Sequence, residues 1–418
     1  MNWVVSGFFI FACYCVTVMV VSSLSLRRPI PVLIIPIFVL GILSTEFAWF
    51  FLVLQVLISI VFIALGALEQ TLGKVALILM VVSWLGLLRM HRQAHAADEI
   101  LRGALQQGLG SAFRATIPAG RQHVLRDHIV AREWLRPFSM MRPGVERLDD
   151  IAYGDAGERN LLDIYRPRQA REGGFPVLLQ VHGGGWFTGH KQQQAQPLLN
   201  HLAQRGWLCV SINYRLSPDH KFPAHIIDVK KAIHWIREHI AEYGGNADFL
   251  AITGGSAGGH LAALAALSPG DRAYQPGFED ADTHVDAAIP LYGVYDFTDH
   301  DGQDLNRALR DFLGDKVMPG SKEEFSELWV RASPITRVSA QAPSFFVIHG
   351  DTDVMTSWEV ARDFSGKLAA VSQQPVVHAE LPGCQHGFDG MHSVRSNYLV
   401  NHITDYLEWA HALHRQNG

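Results

Sequence analysis

The stretch FLAITGGSAGGHLAALAAL, residues 249–267, decides the fold. Residues 249–253 form a short apolar run that reads as a strand and enters Gly254-Gly255-Ser256-Ala257-Gly258. The small and aliphatic residues after it read as a closely packed helix. A G-x-S-x-G between a strand and a helix is the setting of a nucleophile elbow, a sharp turn that lifts the serine hydroxyl above the edge of a sheet. Glycines flank such a serine because the turn is tight and the backbones pack closely. The pentapeptide alone is common by chance. Its strand-turn-helix context is what points to Ser256 as a nucleophile.

Working outward, His182-Gly183-Gly184-Gly185-Trp186 follows the apolar run PVLLQV at 176–181. Acyl transfer needs donors for the oxyanion that forms as a carbonyl becomes tetrahedral, and uncrowded backbone N–H groups serve well. The N–H groups of Gly183, Gly184 and Ala257 are the expected oxyanion hole. The bland reading is a flexible or phosphate-binding loop, and the latter lacks the Lys-Ser/Thr ending of a P-loop.

A serine nucleophile needs a base, and the base needs an orienting acid, in the chain order Ser, acid, His. Two late segments fit: His349-Gly350-Asp351-Thr352-Asp353-Val354 after the run SFFVI, and Gly383-Cys384-Gln385-His386-Gly387-Phe388 after a run ending at Leu381. His386 is the expected base and Asp353 the expected acid. Asp351 competes, with a turn-shaping role as its alternative. The chain has 21 histidines, so a lone one means little; His260 and His402 are expected to be structural or at the surface. Trp186, Phe187, Tyr292 and the Phe297 region suit an apolar acyl pocket, but ordinary core is the favoured reading.

From about residue 145 apolar runs at 176–181, 207–213, 249–253, 287–291, 345–349 and 375–381 alternate with helical patterns at 226–243 and 397–414. That order implies a largely parallel sheet with helices on both faces. The motifs together resemble the hormone-sensitive-lipase-like esterases of the α/β-hydrolase superfamily. The resemblance rests on HGGGW, GGSAGG, Tyr214-Arg215-Leu216-Ser217-Pro218 with Phe222-Pro223-Ala224 and Asp228, HGDTD at 349–353 and HGF at 386–388, and it covers most of residues 150–415. Within that group the chain looks like bacterial and mycobacterial carboxylesterases of the LipM/LipQ type, which likewise carry an apolar N-terminal region. The resemblance implies an α/β-hydrolase fold, Ser256 as nucleophile, Asp353 as acid, His386 as base, and Gly183, Gly184 and Ala257 as the oxyanion hole. It gives the YRLSP segment a structural role; the usual Ala-Pro-Glu there is Ser217-Pro218-Asp219.

The N-terminal part reads differently. Four apolar stretches, roughly 2–23, 29–45, 47–68 and 72–89, each approach the ~20 residues needed to cross a bilayer. The first lacks the basic start and cleavage site of a signal peptide, so it is expected to be retained. The resulting organisation is a transmembrane helical region of three or four spans at 1–90, a connector at 91–142 that either packs on the catalytic part or forms a lid, and an α/β-hydrolase domain at 143–418. The setting is a multi-pass protein of a bacterial cytoplasmic membrane. Arg27 and Arg28 against Arg89 and Arg92 leave the side of the catalytic domain open. Charged residues sit only at the edges of the stretches, which favours anchoring over transport. The net charge of −5 gives no reason to expect nucleic acid, and the four cysteines form no zinc spacing or disulfide framework.

These readings converge on a serine carboxylic-ester hydrolase that works through an acyl-enzyme on Ser256, needs no metal or organic cofactor, and acts on small-molecule or lipid-derived esters at a bilayer. Amide or formamide hydrolysis and acyl transfer would use the same triad. A non-catalytic receptor on a hydrolase fold would be expected to carry a damaged triad or glycine loop, and none is visible.

Overall fold

The computed structural model describes residues 3–24, 31–299 and 307–417. Arg27, Arg28 and Pro29, which bear on the orientation and on the second apolar stretch, lie outside them.

Eight strands form one sheet: β1 (Val145–Ala152), β2 (Leu161–Pro167), β3 (Phe175–Val181), β4 (Leu208–Ile212), β5 (Gly245–Gly255), β6 (Ala287–Leu291), β7 (Ser344–Gly350) and β8 (Val376–Leu381). Their spatial order is β1-β2-β4-β3-β5-β6-β7-β8. The β1–β2 and β2–β4 pairings are antiparallel, and every pairing from β4 to β8 is parallel. Parallel strands have helices over both faces and so read as unbroken apolar runs. The alternation appears in which core each residue enters. Val177, Leu179, Leu250, Ile252, Phe345 and Val347 join one cluster, and Leu178, Ala251, Phe346 and Ile348 join the other.

The apolar N-terminal part comprises α1 (Trp3–Ser22), α2 (Pro31–Glu46), α3 (Ala48–Ala64) and the first half of α4 (Thr71–Leu109). The catalytic part adds α5 (Gln196–Gln204), α6 (Ala224–His239), α7 (Ala257–Ala266), α8 (Trp358–Val371) and α9 (Val394–Asn417). Helices α6, α7 and α8 cover one face of the sheet. Helices α5 and α9, with the distal half of α4, cover the other.

The expected three or four spans narrow to two or three among the described residues, and the start of the connector moves. Among the described residues, α1 and α4 are each long and apolar enough to cross a membrane, while α2 and α3 are bent by 86° at their junction and count at most as one broken span. Nor does a connector begin at residue 91. With 39 residues, α4 runs about 58 Å without a break, because residues 89–109 contain no proline and many strong helix formers. Its distal half buries Ala97, Leu101 and Leu105 in the core on that face of the sheet. Residues 113–142 then bind helices of that face. Arg114 pairs with Asp405 at 2.5 Å, Arg121 pairs with Glu408, and Arg205 donates to the Val124 carbonyl. Among the described residues no hydrogen bond or ion pair ties 113–142 to the elbow or the glycine loop.

Candidate active site

The elbow lies where β5 ends and α7 begins. Ser256 adopts φ 59°, ψ −122°, outside the basins that ordinary residues prefer, at a cost on the order of 1–3 kcal/mol. Its N–H donates to the Leu291 carbonyl at 3.0 Å, which ties the turn to β6. A side chain on Gly258 would run into the Val181 carbonyl oxygen and lie 2.7 Å from that of His182. A side chain on Gly254 would likewise strike the carbonyl of Gly258. The glycines are therefore set by the close approach of α7 to the end of β3. Ala257 occupies the first turn of α7, where helix N–H groups lack intrahelical partners.

The glycine loop rests on the elbow: a Cβ on Gly183 would fall 2.6 Å from the Gly255 carbonyl oxygen. Gly184 and Gly185 have φ values of 111° and 61°, which the loop could not adopt cheaply with other residues. The YRLSP segment braces this loop. Tyr214 stacks on His182, centroids 4.4 Å apart, and its hydroxyl donates to the His182 carbonyl at 2.9 Å. Ser217 N–H donates to the Trp186 carbonyl at 2.8 Å. Arg215 and Asp228 form a forked ion pair with a 2.7 Å contact that fixes the segment to α6. His260 is structural: Trp186 Nε1 donates to its Nδ1 at 3.2 Å, and its Nε2 donates to the Ala332 carbonyl at 2.8 Å.

One expected oxyanion donor is otherwise engaged. The Gly183 N–H donates to Gln194 Oε1 at 2.5 Å, so in this conformation it is not free for a substrate oxygen. The N–H groups of Gly184, Gly185 and Ala257 have no acceptor among the described residues. Gln194 carried no signal in the sequence, because its role depends on residues 188–195 folding back beneath the glycines.

The loops after β7 and β8 leave the same sheet edge as the elbow. They bring His386 Nδ1 to 2.7 Å from Asp353 Oδ2. Asp353 Oδ1 accepts from the N–H groups of Met355 and Thr356 at 2.7 and 3.0 Å, and Oδ2 accepts from the Thr356 hydroxyl at 3.0 Å. Burial would push this carboxyl up, but the His386 charge and the hydrogen bonds from His349 and His386 hold it well below the usual carboxylate range. Asp351 points elsewhere, accepting from Gly383 N–H at 2.7 Å, and burial raises its carboxyl. Asp351 thus shapes the His386 loop. No hydrogen bond joins Ser256 Oγ to His386 in this conformation among the described residues. Such contacts commonly tighten only with substrate bound. Tyr292 touches the elbow and the histidine: a side chain on Gly255 would strike its hydroxyl, its ring centroid lies 4.5 Å from that of His386, and it donates to the buried Asp389 carboxylate. Of the residues considered for an acyl pocket, Trp186, Tyr292 and Phe297 are buried core, and only Phe187 is exposed, packed edge-on against Phe312. Among the described residues no cluster of three or more His, Cys, Asp or Glu side chains is placed to hold a metal ion.

Residues 162–368 match the family model BD-FAE. The Mycobacterium tuberculosis protein described as "Probable carboxylic ester hydrolase LipM" is 43% identical over 369 residues, which cover 83% of this chain and 82% of that one. The esterase LipQ of the same organism is 45% identical over 322 residues, 75% of each chain. The chain belongs to the hormone-sensitive-lipase-like carboxylesterases of the α/β-hydrolase superfamily. It is a carboxylic ester hydrolase. Solved structures agree on the fold of this carboxylesterase: esterase 2 of Thermogutta terrifontis with butyrate bound superposes with a TM-score of 0.53 at 23% identity, covering 64% of this chain and 94% of that one.

Proposed function

We propose that Ser256, His386 and Asp353 are the catalytic triad of this carboxylesterase, with the N–H groups of Gly184 and Ala257 as oxyanion donors and Gly185 beside them. The observation that carries the reading is the 2.7 Å contact between His386 and a buried carboxylate at the sheet edge where the elbow ends. With Nδ1 engaged by Asp353, His386 Nε2 is the nitrogen left for the serine. It takes the hydroxyl proton as Ser256 Oγ bonds to the ester carbonyl carbon. The carbonyl oxygen becomes an oxyanion held by the loop and elbow N–H groups. The tetrahedral intermediate collapses, the C–O bond to the alcohol breaks, and the imidazolium protonates the leaving alkoxide. Water, deprotonated by the same imidazole, then attacks the acyl-enzyme and releases the acid. Asp353 stays ionised, fixing the ring tautomer and stabilising its positive form.

The triad reading is tested by treating the detergent-solubilised chain with an alkyl fluorophosphonate and mapping the adduct. Phosphonylation at Ser256, absent in Ser256→Ala, is the expected result. Labelling at another residue, or equal labelling of the variant, contradicts it.

The same reading places the chain in a bilayer as a multi-pass protein of a bacterial cytoplasmic membrane. Helices α1 and α4 cross, and the spans act as an anchor. Its support is the apolar surface these helices turn outward, including Ile10, Ile78 and Leu85, which water would not leave unpaired over so long a stretch. The substrates that fit are small-molecule or lipid-derived esters.

A further inference from the structure

Helix α2 does more than lie beside the hydrolase domain. Phe38 meets the His386 ring edge-on, with centroids 6.0 Å apart. A side chain on Gly41 would fall 2.7 Å from Gln385 Cγ, so the helix backbone rests on the residue before His386. Ile42 Cδ1 lies 3.3 Å from where a Cβ on Gly387 would be. Past these contacts, Glu46 pairs with the fully buried Arg395 and accepts from Ser393 Oγ at 2.6 Å. Arg395 also donates to the carbonyls of Pro382 and Gly383 at 3.1 and 3.2 Å, the residues that open the His386 loop.

Phe38, Gly41 and Ile42 follow helical spacing and form one stripe on that loop. The stripe alongside carries Val32, Ile35, Val39 and Leu43, all exposed. Phe38 and Ile42, both half-buried, stand at the border between the two stripes. An apolar surface therefore runs from the outer face of the helical region to the base of the triad. It offers hydrocarbon contacts and no charge until Glu46, which is already paired. Helices α1 and α4, both long and apolar enough to cross a membrane, pack against α2.

We propose that α2 is the acyl-side wall of the active site, and that the substrate is a long-chain ester that reaches Ser256 from the lipid phase along Val39, Phe38 and Ile42. This rests on the triad and membrane readings above and deepens them by naming the substrate class. A polar or short-chain ester would gain nothing from this wall, whereas a long chain buries its methylenes on it.

The full chain is reconstituted in phosphatidylglycerol-phosphatidylcholine nanodiscs and reacted with a long-chain alkyl fluorophosphonate that carries a diazirine on its chain. After photolysis, peptides are mapped. The expected result is phosphonylation of Ser256 with crosslinks to residues 31–46. Phosphonylated Ser256 with crosslinks confined to 143–418 overturns the α2 wall and leaves the triad reading standing. A second copy seated on the stripe would give crosslinks between chains and also overturns it. Absence of any Ser256 adduct means that the triad reading has failed, and the wall with it. Ile42→Trp gives an independent readout. The ratio of kcat/KM for a long-chain over a short-chain p-nitrophenyl ester is expected to fall about tenfold. An equal loss on both esters would mark a merely structural position and overturn the proposal.

Discussion

The carboxylate of Asp353 takes contacts from His386, His349, Thr356 and two backbone N–H groups of its own loop. Such a cage holds the acid ionised and fixes which oxygen faces the imidazole. Replacing it with the isosteric amide keeps the shape and removes the charge. Asp353→Asn is therefore expected to lower kcat on a p-nitrophenyl ester about 10³–10⁴-fold at neutral pH. Asp351→Asn, whose native partner is a loop N–H, is expected to lose far less. The reverse order would move the acid to Asp351. Asp353 and His386 were legible in the sequence because each follows a strand-like run and sits in a short glycine-flanked loop. Gln194, Thr356 and Tyr292 were not, since what they do depends on loops meeting in space. Buried histidines set a pH dependence, His182 and His260 among them. Burial lowers His182 and His260 to about 4 from 6.5. Between those values the unfolded chain binds protons that the folded chain does not, so stability rises with pH across this window and falls as pH drops through it. Thermal melts are expected to show Tm declining steadily from pH 6.5 towards 4. A Tm flat over that range would show that these rings are protonated in the fold.

At the scale of elements, the inner parallel strands β3, β4, β6 and β7 were legible as apolar runs because both their faces are buried. The antiparallel edge strand β1 was not, since it reads VERLDDIA and mixes exposed with half-buried positions. The elbow is held by contacts that a single methyl breaks. Gly258→Ala places a carbon against the carbonyls of β3 and is expected to cost on the order of 1–3 kcal/mol through backbone displacement. It should lower both Tm and hydrolysis; native values of both would show that the turn has room. The bend between α2 and α3 was not legible either, because an apolar helix has the same pattern whether its face meets lipid or protein. Where the bend falls, Glu46 at the end of α2 pairs with the buried Arg395, inside the protein and far apart in sequence. Arg395→Met strands a buried carboxylate, at a cost of about 3–5 kcal/mol. A melting curve in detergent unchanged from wild type would show that the pair is dispensable.

At the scale of the whole molecule, α4 joins the apolar part to the hydrolase as one rod, its first half outward-facing and its second half in the sheet's core. The boundary drawn at residue 90 from composition falls in the middle of this helix. Composition registers a change of surroundings, which a helix can cross without ending. The hydrolase part is thus joined to the apolar helices by one continuous helix, with α2 resting on the His386 loop. If α1 and α4 cross the membrane, alkaline carbonate should leave the protein in the membrane fraction and only detergent should release it. Release by carbonate would contradict the crossing. The most direct test of Ser256 as the nucleophile is hydrolysis of p-nitrophenyl esters of graded acyl length by the purified full chain, wild type beside Ser256→Ala. Turnover by the wild type and a loss of at least about 10³-fold in the variant are the expected results. Comparable turnover by a correctly folded Ser256→Ala would contradict that role.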